Sequence, residues 1–437
     1  MKVESIALGP NKNQLENNSK ILSPELLASV GARYSRSDLG LDEIYSMVDE
    51  GDTEKSIDNI FKFVAYGHAS IADLAPVSMF LDGISFFAAY NIFAQCPVGG
   101  GQESSTRYLD FSKQGLDILI DQKYLPRPKK EYEFLFEDYK RCCQYWENYL
   151  EENPEVLDLS NLKGERKKSA RRNYIFDRSR TFLPVSCKTN MMLVQSARQW
   201  ARLAQYLTSS DHLEFVDIGN LIIDQLKIAS PRMAKHTEKT EAFSQTSQEG
   251  VFEEQKELGF LNLDASDSGG YCEVYGKPNA NLLEVRKTRY CPFNESVNMI
   301  PVKFGWNKIP FAEIRDFSRH RTGSKSLDLK PRGYYFAQDQ LLKPDSKLGA
   351  IHVRAIDHSV KLQEQYNREE KSWVYNALLG TEFSYSHTTT LNQFLYQCEI
   401  RTSKGAHFRY RELMNDVLNI FLDKNPDFKG KLFDNQV

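Results

Sequence analysis

The stretch VKFGWNKIPFAEIRDFSRHR, residues 302–321, sets the architecture expected of this 437-residue chain. Its start, Val302–Trp306, is short and apolar and predicts a β-strand, whereas Phe311–Arg321 has the apolar spacing of a helix that ends in a charged cluster. The first half of the chain has the same order, because Val77–Leu81 predicts a strand and Ile84–Phe93 predicts an apolar helix. A strand followed at once by a helix therefore occurs twice, which indicates an internal repeat.

Both predicted repeats also end in the same way, with two helices joined by a short polar turn. The turns are TSSD at 208–211 and TSKG at 402–405. Further helices are predicted at Ser23–Ser37, Glu133–Glu151, Leu193–Leu207, Phe215–Leu226, Lys361–Leu379, Thr388–Ile400 and Tyr410–Leu422. Two copies of one unit in a chain usually pack as a pseudo-dimer. The alternative is a coincidence between two α/β segments.

The predicted boundary between the repeats is the polar segment 232–268. It contains the run TEKTEAFSQTSQEG, whose composition is typical of a linker or an excursion between domains. We therefore expect one unit at residues 1–231 and a second at 269–437.

Composition excludes several classes of protein. A net charge of −3 gives no general attraction to nucleic acid or to anionic membranes, and the basic run at 163–172 is typical of a solvated helix start. The most apolar stretch, Ile71–Ala94, is interrupted by Asp73, Pro76 and Asp82, so it does not predict a membrane span. The seven cysteines show no CxxC spacing, and the N-terminus has no long apolar run. These features predict a cytoplasmic protein with reduced thiols and no metal cage.

The densest cationic cluster is Ser318-Arg319-His320-Arg321, which is followed by a Gly/Ser turn at 322–326. Arginine forks bind phosphate through paired hydrogen bonds, and a histidine beside them can donate or titrate. Backbone amides in the turn add donors for an anion. The alternative is a solvated helix end, where cations complement the helix dipole.

A second cluster combines three glycines with polar residues, GGGQESSTRY at 99–108. The glycines allow the backbone to approach a ligand closely, and two serines, a threonine and Arg107 follow as partners for a phosphate. Glu103 is suited to accept a hydrogen bond from a ribose hydroxyl or a base. An ordinary surface loop is the alternative reading.

At these two clusters the chain resembles the flavin-dependent thymidylate synthases, the ThyX family. The family pattern is a helix ending in RHR, then, after seven residues, a serine in a loop close to N-E-Q-S-x-R-Y, with H-x-S/T upstream. In the first half the loop is retained at 102–108, and His68 and Ser70 match the upstream motif. Arg180, ahead of a Leu-Pro step, matches the family arginine that contacts the nucleotide.

The second half retains the complementary residues. The RHR run is intact at 319–321, and Arg401, before TSKGAHFRYREL, matches the family arginine that polarises the uracil. Ser296 occupies the place of the upstream motif, and Asn392 lies near the flavin-contacting positions of the following helix.

Each half has lost what the other retains. In the first half the expected RHR reads Gln95-Cys96-Pro97, and Tyr206 replaces the later arginine. In the second half the loop serine is Leu329, and the arginine before the Leu-Pro step is Asn376. Because each family active site combines residues from two subunits, the fused pair retains one complete set. The resemblance therefore implies one working site per chain.

The resemblance also implies the chemistry and the role of each residue. FAD is the implied cofactor, methylenetetrahydrofolate the carbon donor, NADPH the source of reducing equivalents, and dUMP the substrate that becomes dTMP. Cofactor contacts are expected at Glu103, His68, Ser70, Ser296, Arg319, His320, Arg321 and Asn392. Nucleotide contacts are expected at Glu103, Ser104, Ser105, Thr106, Arg107, Arg180, Arg319 and Arg401, of which Arg401 is the expected catalytic residue.

The implied fold class is α+β, with two units that each contain a central, mostly antiparallel sheet and flanking helices. The family tetramer would become a homodimer of fused chains, a pseudo-tetramer. Two alternative functions stay open. One is a related flavoenzyme with a different pyrimidine nucleotide or carbon donor, and the other is a non-catalytic protein that binds a nucleotide or flavin.

Overall fold

The computed structural model describes residues 1–6, 22–38, 43–44, 53–65, 69–96, 99–243, 269–283, 286–343, 345–370, 372–403 and 405–433. These residues fall into two compact units. The first is drawn from the ranges 1–104 and 188–250, and the second from 105–187 and 251–437. The second unit therefore combines the middle of the first predicted repeat with the whole second repeat. The repeat boundaries themselves, including the part of 232–268 beyond residue 243, stay a prediction.

The first unit is built on a four-stranded antiparallel sheet with the order β1-β2-β4-β3. The strands are β1 Lys2–Ile6, β2 Pro76–Ser85, β3 Gly100–Glu103 and β4 Lys188–Ser196. The helices are α1 Pro24–Tyr34, α2 Thr53–Ala65, α3 Phe86–Ala94, α6 Ala197–Thr208, α7 Leu213–Ala229 and α8 Pro231–Ala234, with α4 and α5 belonging to the second unit.

Serines at strand ends explain why these strands turn directly into helices. Ser85 ends β2, and its hydroxyl accepts from the amide of Ala88 at 2.9 Å, which caps α3. Ser196 ends β4 and caps α6 in the same way, accepting from the amide of Gln199 at 3.3 Å. The buried Glu214 carboxylate accepts from both the amide and the hydroxyl of Ser85, at 2.7 and 2.6 Å, and fixes the first of these junctions.

The second unit repeats this strand order, because its four antiparallel strands are arranged β5-β6-β8-β7. The strands are β5 Gly270–Val274, β6 Pro301–Pro310, β7 Ser324–Tyr334 and β8 Thr381–Thr390. The helices are α4 Glu133–Glu152, α5 Gly164–Ser179, α9 Glu295–Asn298, α10 Phe311–Ser318, α11 Ser346–Asn367, α12 Leu391–Arg401 and α13 Phe408–Lys424.

Aromatic residues fill the space between the second sheet and its helices. Trp306 on β6 is fully buried, with its ring centroid 4.6 Å from that of Phe317 on α10. Its indole N–H donates to the carbonyl of Leu413 on α13 at 3.2 Å. This packing holds the C-terminal end of α10 against the start of α13, where most of the candidate site lies.

The predicted strands at Val77–Leu81 and Val302–Trp306 are confirmed, as parts of the longer β2 and β6. Two helix predictions were wrong at their starts, because 193–196 ends β4 and 388–390 ends β8. Buried and less buried residues alternate along β4, and β8 is rich in threonine, which favours strands.

Two further helix predictions were wrong at their C-terminal ends. The helix expected at Lys361–Leu379 ends at Asn367, because Glu369 and Ser372 have left-handed backbone conformations, with φ of 53° and 61°. The helix expected at Phe311–Arg321 ends at Ser318, and Arg319 is its C-cap. The α+β fold class is confirmed by two antiparallel sheets of one topology, each with flanking helices. None of the helices in the described ranges has the length and hydrophobicity that a bilayer span needs.

Candidate active site

One carboxylate, Asp316 in the last turn of α10, joins several of the predicted site residues within the second unit. Its Oδ2 accepts from Nη2 of Arg180 at 3.0 Å, and its Oδ1 lies 3.6 Å from Nη2 of Arg319. Its backbone carbonyl accepts from the hydroxyl of Tyr410 on α13 at 3.2 Å. Burial alone would raise the pKa of Asp316, but Arg180 and Arg319 outweigh burial and hold that pKa well below its usual range. Asp316 is therefore an anion shared by arginines of both motif sets.

Arg180, directly after α5, is only 1% exposed. Besides Asp316, its guanidinium donates to Oε1 of Glu313 at 2.6 Å and to the Thr106 hydroxyl at 3.3 Å. Burial lowers the pKa of Arg180, but the carboxylates of Asp316 and Glu313 reverse the effect and raise it above its ordinary value. Its Nε atom is buried and has no hydrogen-bond partner among the described residues. Arg180 is thus a permanently charged residue with one remaining donor.

Arg180 is held in place by a short antiparallel pairing. The amide of Val185 donates to the carbonyl of Ala377 at 2.8 Å, and the amide of Leu379 donates to the carbonyl of Leu183 at 2.8 Å. One of these segments contains the Leu-Pro step that follows Arg180. The other follows Asn376 and is the segment that the sequence predicts to be equivalent. Pro184 lies opposite Leu378 at the centre of this pairing, so Arg180 and Asn376 precede that centre in their own segments by four and two residues.

The nucleotide loop of the first repeat contributes Arg107, whose side chain is 23% exposed. Its guanidinium donates to both oxygens of the buried Asp177, from Nε at 2.8 Å and from Nη2 at 2.8 Å. The Ser105 hydroxyl accepts from the amide of Arg107 at 3.2 Å, which closes a tight turn. The loop is therefore fixed to α5 by a bidentate ion pair and leaves part of Arg107 accessible.

His407, at the start of α13, lies between the carboxylates of this cluster. Its Nε2 lies 3.2 Å from the carbonyl oxygen of Asp177, and its Nδ1 lies 3.6 Å from Oε1 of Glu313. Burial, reinforced by Arg180, lowers the pKa of His407 well below its ordinary value, so the ring is neutral. With Nδ1 accepting from the Tyr410 amide at 3.4 Å, Nε2 carries the proton and donates to Asp177.

Arg401 joins the RHR segment to the C-terminal helices. Its Nε donates to Nε2 of His320 at 2.8 Å, and its guanidinium carbon lies 4.7 Å from the ring centre of Tyr410. Burial, together with the charge of Arg401, holds the pKa of His320 well below its usual range. Since Nε2 of this neutral ring accepts, its proton is on Nδ1.

The structure thus brings together, in one compact unit, predicted residues from four separate segments of the sequence. These are Ser105, Thr106, Arg107, Arg180, Arg319, His320 and Arg401. Arg321 follows His320 directly and is partly exposed.

Other predicted residues lie elsewhere. Ser296 is exposed and donates to Oδ1 of Asn294 at 2.7 Å, and Asn392 accepts from the Thr390 hydroxyl at the end of α12 opposite Arg401. Glu103, Ser104 and Ser70 belong to the first unit, and His68 lies outside the described residues. The roles predicted for these residues stay predictions.

The positions that have lost family residues are built into the internal structure. Asn376 is buried, where its side-chain oxygen accepts from the Tyr132 hydroxyl and its carbonyl lies 2.6 Å from Nε2 of His358. Leu329 lies in β7, at the point where the pairing with β8 shifts register between Asp328 and Gly333. In the first unit, the Tyr206 hydroxyl donates to Oδ1 of Asn91 at 3.3 Å.

Sequence reasoning missed the carboxylates that organise the site. Glu313 and Asp316 precede Arg319 by six and three residues, so the three side chains share one face of α10 and its cap. Asp177 precedes Arg180 by three residues on α5 in the same manner. Acidic residues one turn before a functional arginine, in an otherwise apolar helix, were the available signal.

The fold and the cluster define an α+β protein with an arginine-rich anion site. The model of the family described as thymidylate synthase complementing protein matches residues 19–232. A "UPF0159 protein" of Chlamydia muridarum is 21% identical, and the match covers 94% of this chain and 90% of that protein. The resemblance to the ThyX family that the two motifs predict is confirmed by this match of residues 19–232 to the family model.

Solved structures of low similarity are found as well. One is the flavin-dependent thymidylate synthase ThyX of Helicobacter pylori complexed with FAD and dUMP, at 16% identity and a TM-score of 0.29, with 52% of this chain and 94% of that chain covered. Another is the UMP/dUMP methylase PolB of Streptomyces cacaoi bound with 5-Br dUMP, at 12% identity and a TM-score of 0.31, with 54% and 93% covered. At such TM-scores these comparisons add nothing to the fold, which rests on the strand order of the two sheets.

Proposed function

We propose that the chain is a flavin-dependent thymidylate synthase with one working site, which methylates dUMP to dTMP. Methylenetetrahydrofolate supplies the carbon, and NADPH reduces the FAD. The observation that carries this proposal is the shared carboxylate of Asp316, which contacts Arg180 of one motif set and Arg319 of the other at 3.0 and 3.6 Å. The match of residues 19–232 to the thymidylate synthase complementing family supports the same chemistry.

The RHR segment fits a flavin dinucleotide. The Arg319 side chain is 34% exposed, and its Nε has no hydrogen-bond partner among the described residues. Neutral His320 offers an Nδ1 proton for a flavin carbonyl or ring nitrogen, because Arg401 already occupies its Nε2. Bound FAD supplies the redox chemistry, and Arg319, His320 and Arg321 bind and orient it. Ser70, His68, Glu103, Ser296 and Asn392 are retained as proposed cofactor contacts.

The nucleotide loop and Arg180 are proposed to bind dUMP. Arg107 is the more accessible of the two arginines, and a phosphate placed beside it would compete with Asp177 for the guanidinium. Arg180 has one unpaired donor, Nε, while its Nη groups remain bound to carboxylates. Ser105, Ser104, Thr106 and Glu103 supply hydroxyls and a carboxylate for the sugar and phosphate.

Arg401 is proposed as the catalytic residue. The Tyr410 ring and the neutral His320 imidazole position its guanidinium, so its charge is not cancelled by a carboxylate among its described contacts. A fixed positive charge in a partly buried site stabilises negative charge as it develops on the uracil ring. No protein nucleophile is required for this role.

The test is to purify the protein and to follow release of tritium from C5 of labelled dUMP. We expect a yellow protein with bound FAD, exchange of the C5 proton, and dTMP formation that requires methylenetetrahydrofolate. Absence of flavin binding under both oxidising and reducing conditions would contradict the proposal. C5 exchange without product in the presence of folate would favour a different carbon donor.

A different pyrimidine substrate is the second candidate. Three carboxylates, those of Asp177, Glu313 and Asp316, offset the charges of Arg107 and Arg180, which reduces the attraction for a phosphate. Comparison of dUMP with UMP and with deoxyuridine in the exchange assay separates the two functions. Faster exchange of deoxyuridine than of dUMP would favour the second.

A further inference from the structure

A half-buried lysine, Lys325, lies close to the RHR segment and is not used by the proposed mechanism. It is in the second position of β7 and is directly opposite His387 on β8. His387 is fully buried and its ring lies against Phe304 in the core, so Lys325 is on the face of the sheet that carries α10 and α12. Among the described residues, no hydrogen bond or ion pair reaches its ammonium group.

The surroundings of Lys325 are basic on every side. Arg321 precedes it in the turn, His320 lies at the end of α10, and His387 faces it across the sheet. The Nε2 of His387 lies 2.6 Å from the Thr322 carbonyl and donates to it, and burial together with Lys325 lowers the pKa of this histidine to about 3. Burial and Arg321 likewise lower the pKa of Lys325 to about 8.

An unpaired cation in such a place reduces the stability of the folded chain. Desolvation disfavours the charged ammonium, the charge of Arg321 disfavours it further, and no carboxylate of the described residues pairs with Lys325. Lysine side chains ordinarily extend to solvent or pair with an acid. Charged side chains that destabilise the fold in this way are concentrated at functional sites. A bound anion would offset the destabilisation at Lys325.

We propose that Lys325 is a phosphate-binding residue of the flavin site, where its ammonium and Arg321 bind the pyrophosphate of the flavin dinucleotide. This inference rests on the proposed function, because it assumes that the RHR segment binds FAD. Nothing in the chemistry of a phosphate alone distinguishes FAD from dUMP as its source. The experiment therefore compares ligands that carry different numbers of phosphates.

The test compares the wild type with K325M, K325R and a control, K330M, which changes an exposed lysine on the same strand. Dissociation constants are measured for FAD, FMN, riboflavin and dUMP at pH 7. In K325M we expect FAD binding to weaken about tenfold, the loss of one charge-assisted contact, and riboflavin and dUMP binding to stay unchanged. K325R should restore most of the affinity, and K330M should match the wild type.

The melting temperature, Tm, gives a second readout, because a purely structural role of Lys325 would change it in a different way. Without flavin, K325M should have a higher Tm than the wild type, because it lacks a half-buried unpaired charge. With saturating FAD the order should reverse. A residue that merely supports the fold would lower Tm under both conditions.

The pH dependence supplies a third readout. An anion raises the pKa of Lys325, so FAD affinity should be full below about pH 8 and fall as pH rises above that value. The two histidines are neutral throughout this range, and K325R should lack the fall. If the wild type binds FAD and K325M binds it equally well, Lys325 is not a phosphate ligand. Loss of dUMP affinity instead of FAD affinity would assign the phosphate to the nucleotide and overturn the proposal. If the wild type itself binds no FAD, the proposed function fails first.

Discussion

Helices α3 and α10 follow equivalent strands in two sheets of the same topology, yet they end differently. Most of α3, FFAAYNIFA, is apolar and buried, and its C-cap is Gln95. Helix α10, FAEIRDFS, buries Glu313 and Arg315, contains Asp316 with a side chain 13% exposed, and is capped by Arg319. Buried ion pairs add little net stability relative to apolar packing. The fold therefore accommodates either helix, and the charges of α10 are explained by chemistry rather than by the needs of the fold.

The next helices show the same contrast. Helix α6 carries Tyr206 near its end, where the tyrosine makes a neutral hydrogen bond to Asn91. Helix α12 ends in Arg401, which donates to His320. The helix after the first sheet therefore ends near a neutral hydrogen bond, and the helix after the second sheet ends in a charged residue.

The largest expected effect is on turnover, at these last two positions. Arg401→Met should lower dTMP formation about a thousandfold, because it removes the charge that stabilises the uracil anion. FAD binding should persist, since Arg319 and Arg321 are unchanged. The matched variant, Tyr206→Phe, should retain activity within about twofold, because it loses one neutral hydrogen bond. Equal losses of activity in the two variants would remove the distinction between the helix ends.

The next effect is on stability. Asp316→Asn should lower the free energy of unfolding by about 3 kcal/mol, because it leaves buried Arg180 and part of Arg319 without their shared anion. Urea denaturation measures this loss. The control is Asp224→Asn on α7, whose ion pair with Lys227 is 2.8 Å long but largely exposed, so its loss should be under about 0.5 kcal/mol. A similar small loss for Asp316→Asn would contradict the role given to this carboxylate.

A smaller effect concerns pH and the inward-facing positions of the two sheets. Leu193 on β4 and His387 on β8 pair with equivalent residues of β2 and β6. The two residues therefore hold the same position in the two sheets. The pKa of His387 is about 3 when folded and near its ordinary value when unfolded. The unfolded chain therefore binds more protons in this range. Stability from this histidine is present above about pH 6.5 and is lost as pH falls.

Through His387 alone, the free energy of unfolding should accordingly fall by about 2 kcal/mol between pH 7 and pH 5. His387→Leu introduces the side chain found at Leu193. In this variant the free energy of unfolding should fall by about 2 kcal/mol less between pH 7 and pH 5. An unaltered slope of this free energy against pH in His387→Leu would show that this ring binds protons equally in the folded and the unfolded chain, which would contradict the lowered pKa.

The sequence was informative where local pattern decides the structure. The short apolar strands β2 and β6 and the long helices α4, α7 and α13 were predicted close to their observed bounds. The polar strand β7 was not predicted, because SKSLDLKPRGY has no apolar alternation, and its pairing with β8 depends on distant residues.

The site was predicted as a set of arginines, but not as a network. Thr106 and Arg180 are 74 residues apart, and Arg180 and Glu313 are 133 apart, so only the tertiary fold shows their contacts. Motifs predicted which arginines belong to the site. They gave no information on Asp177 or His407, whose importance comes from burial against partners far away in the sequence.

The most direct test of a single shared site is the number of FAD molecules bound per chain. By resemblance to the family the two halves retain complementary residues, and Asn376, Leu329 and Tyr206 stand where a second set would need an arginine, a serine and an arginine. Flavin absorbance and protein concentration, measured on the same purified sample after saturation with FAD and gel filtration, give this ratio. We predict one FAD per chain. A ratio of two, or of zero, would contradict the claim that the fused halves share a single working site.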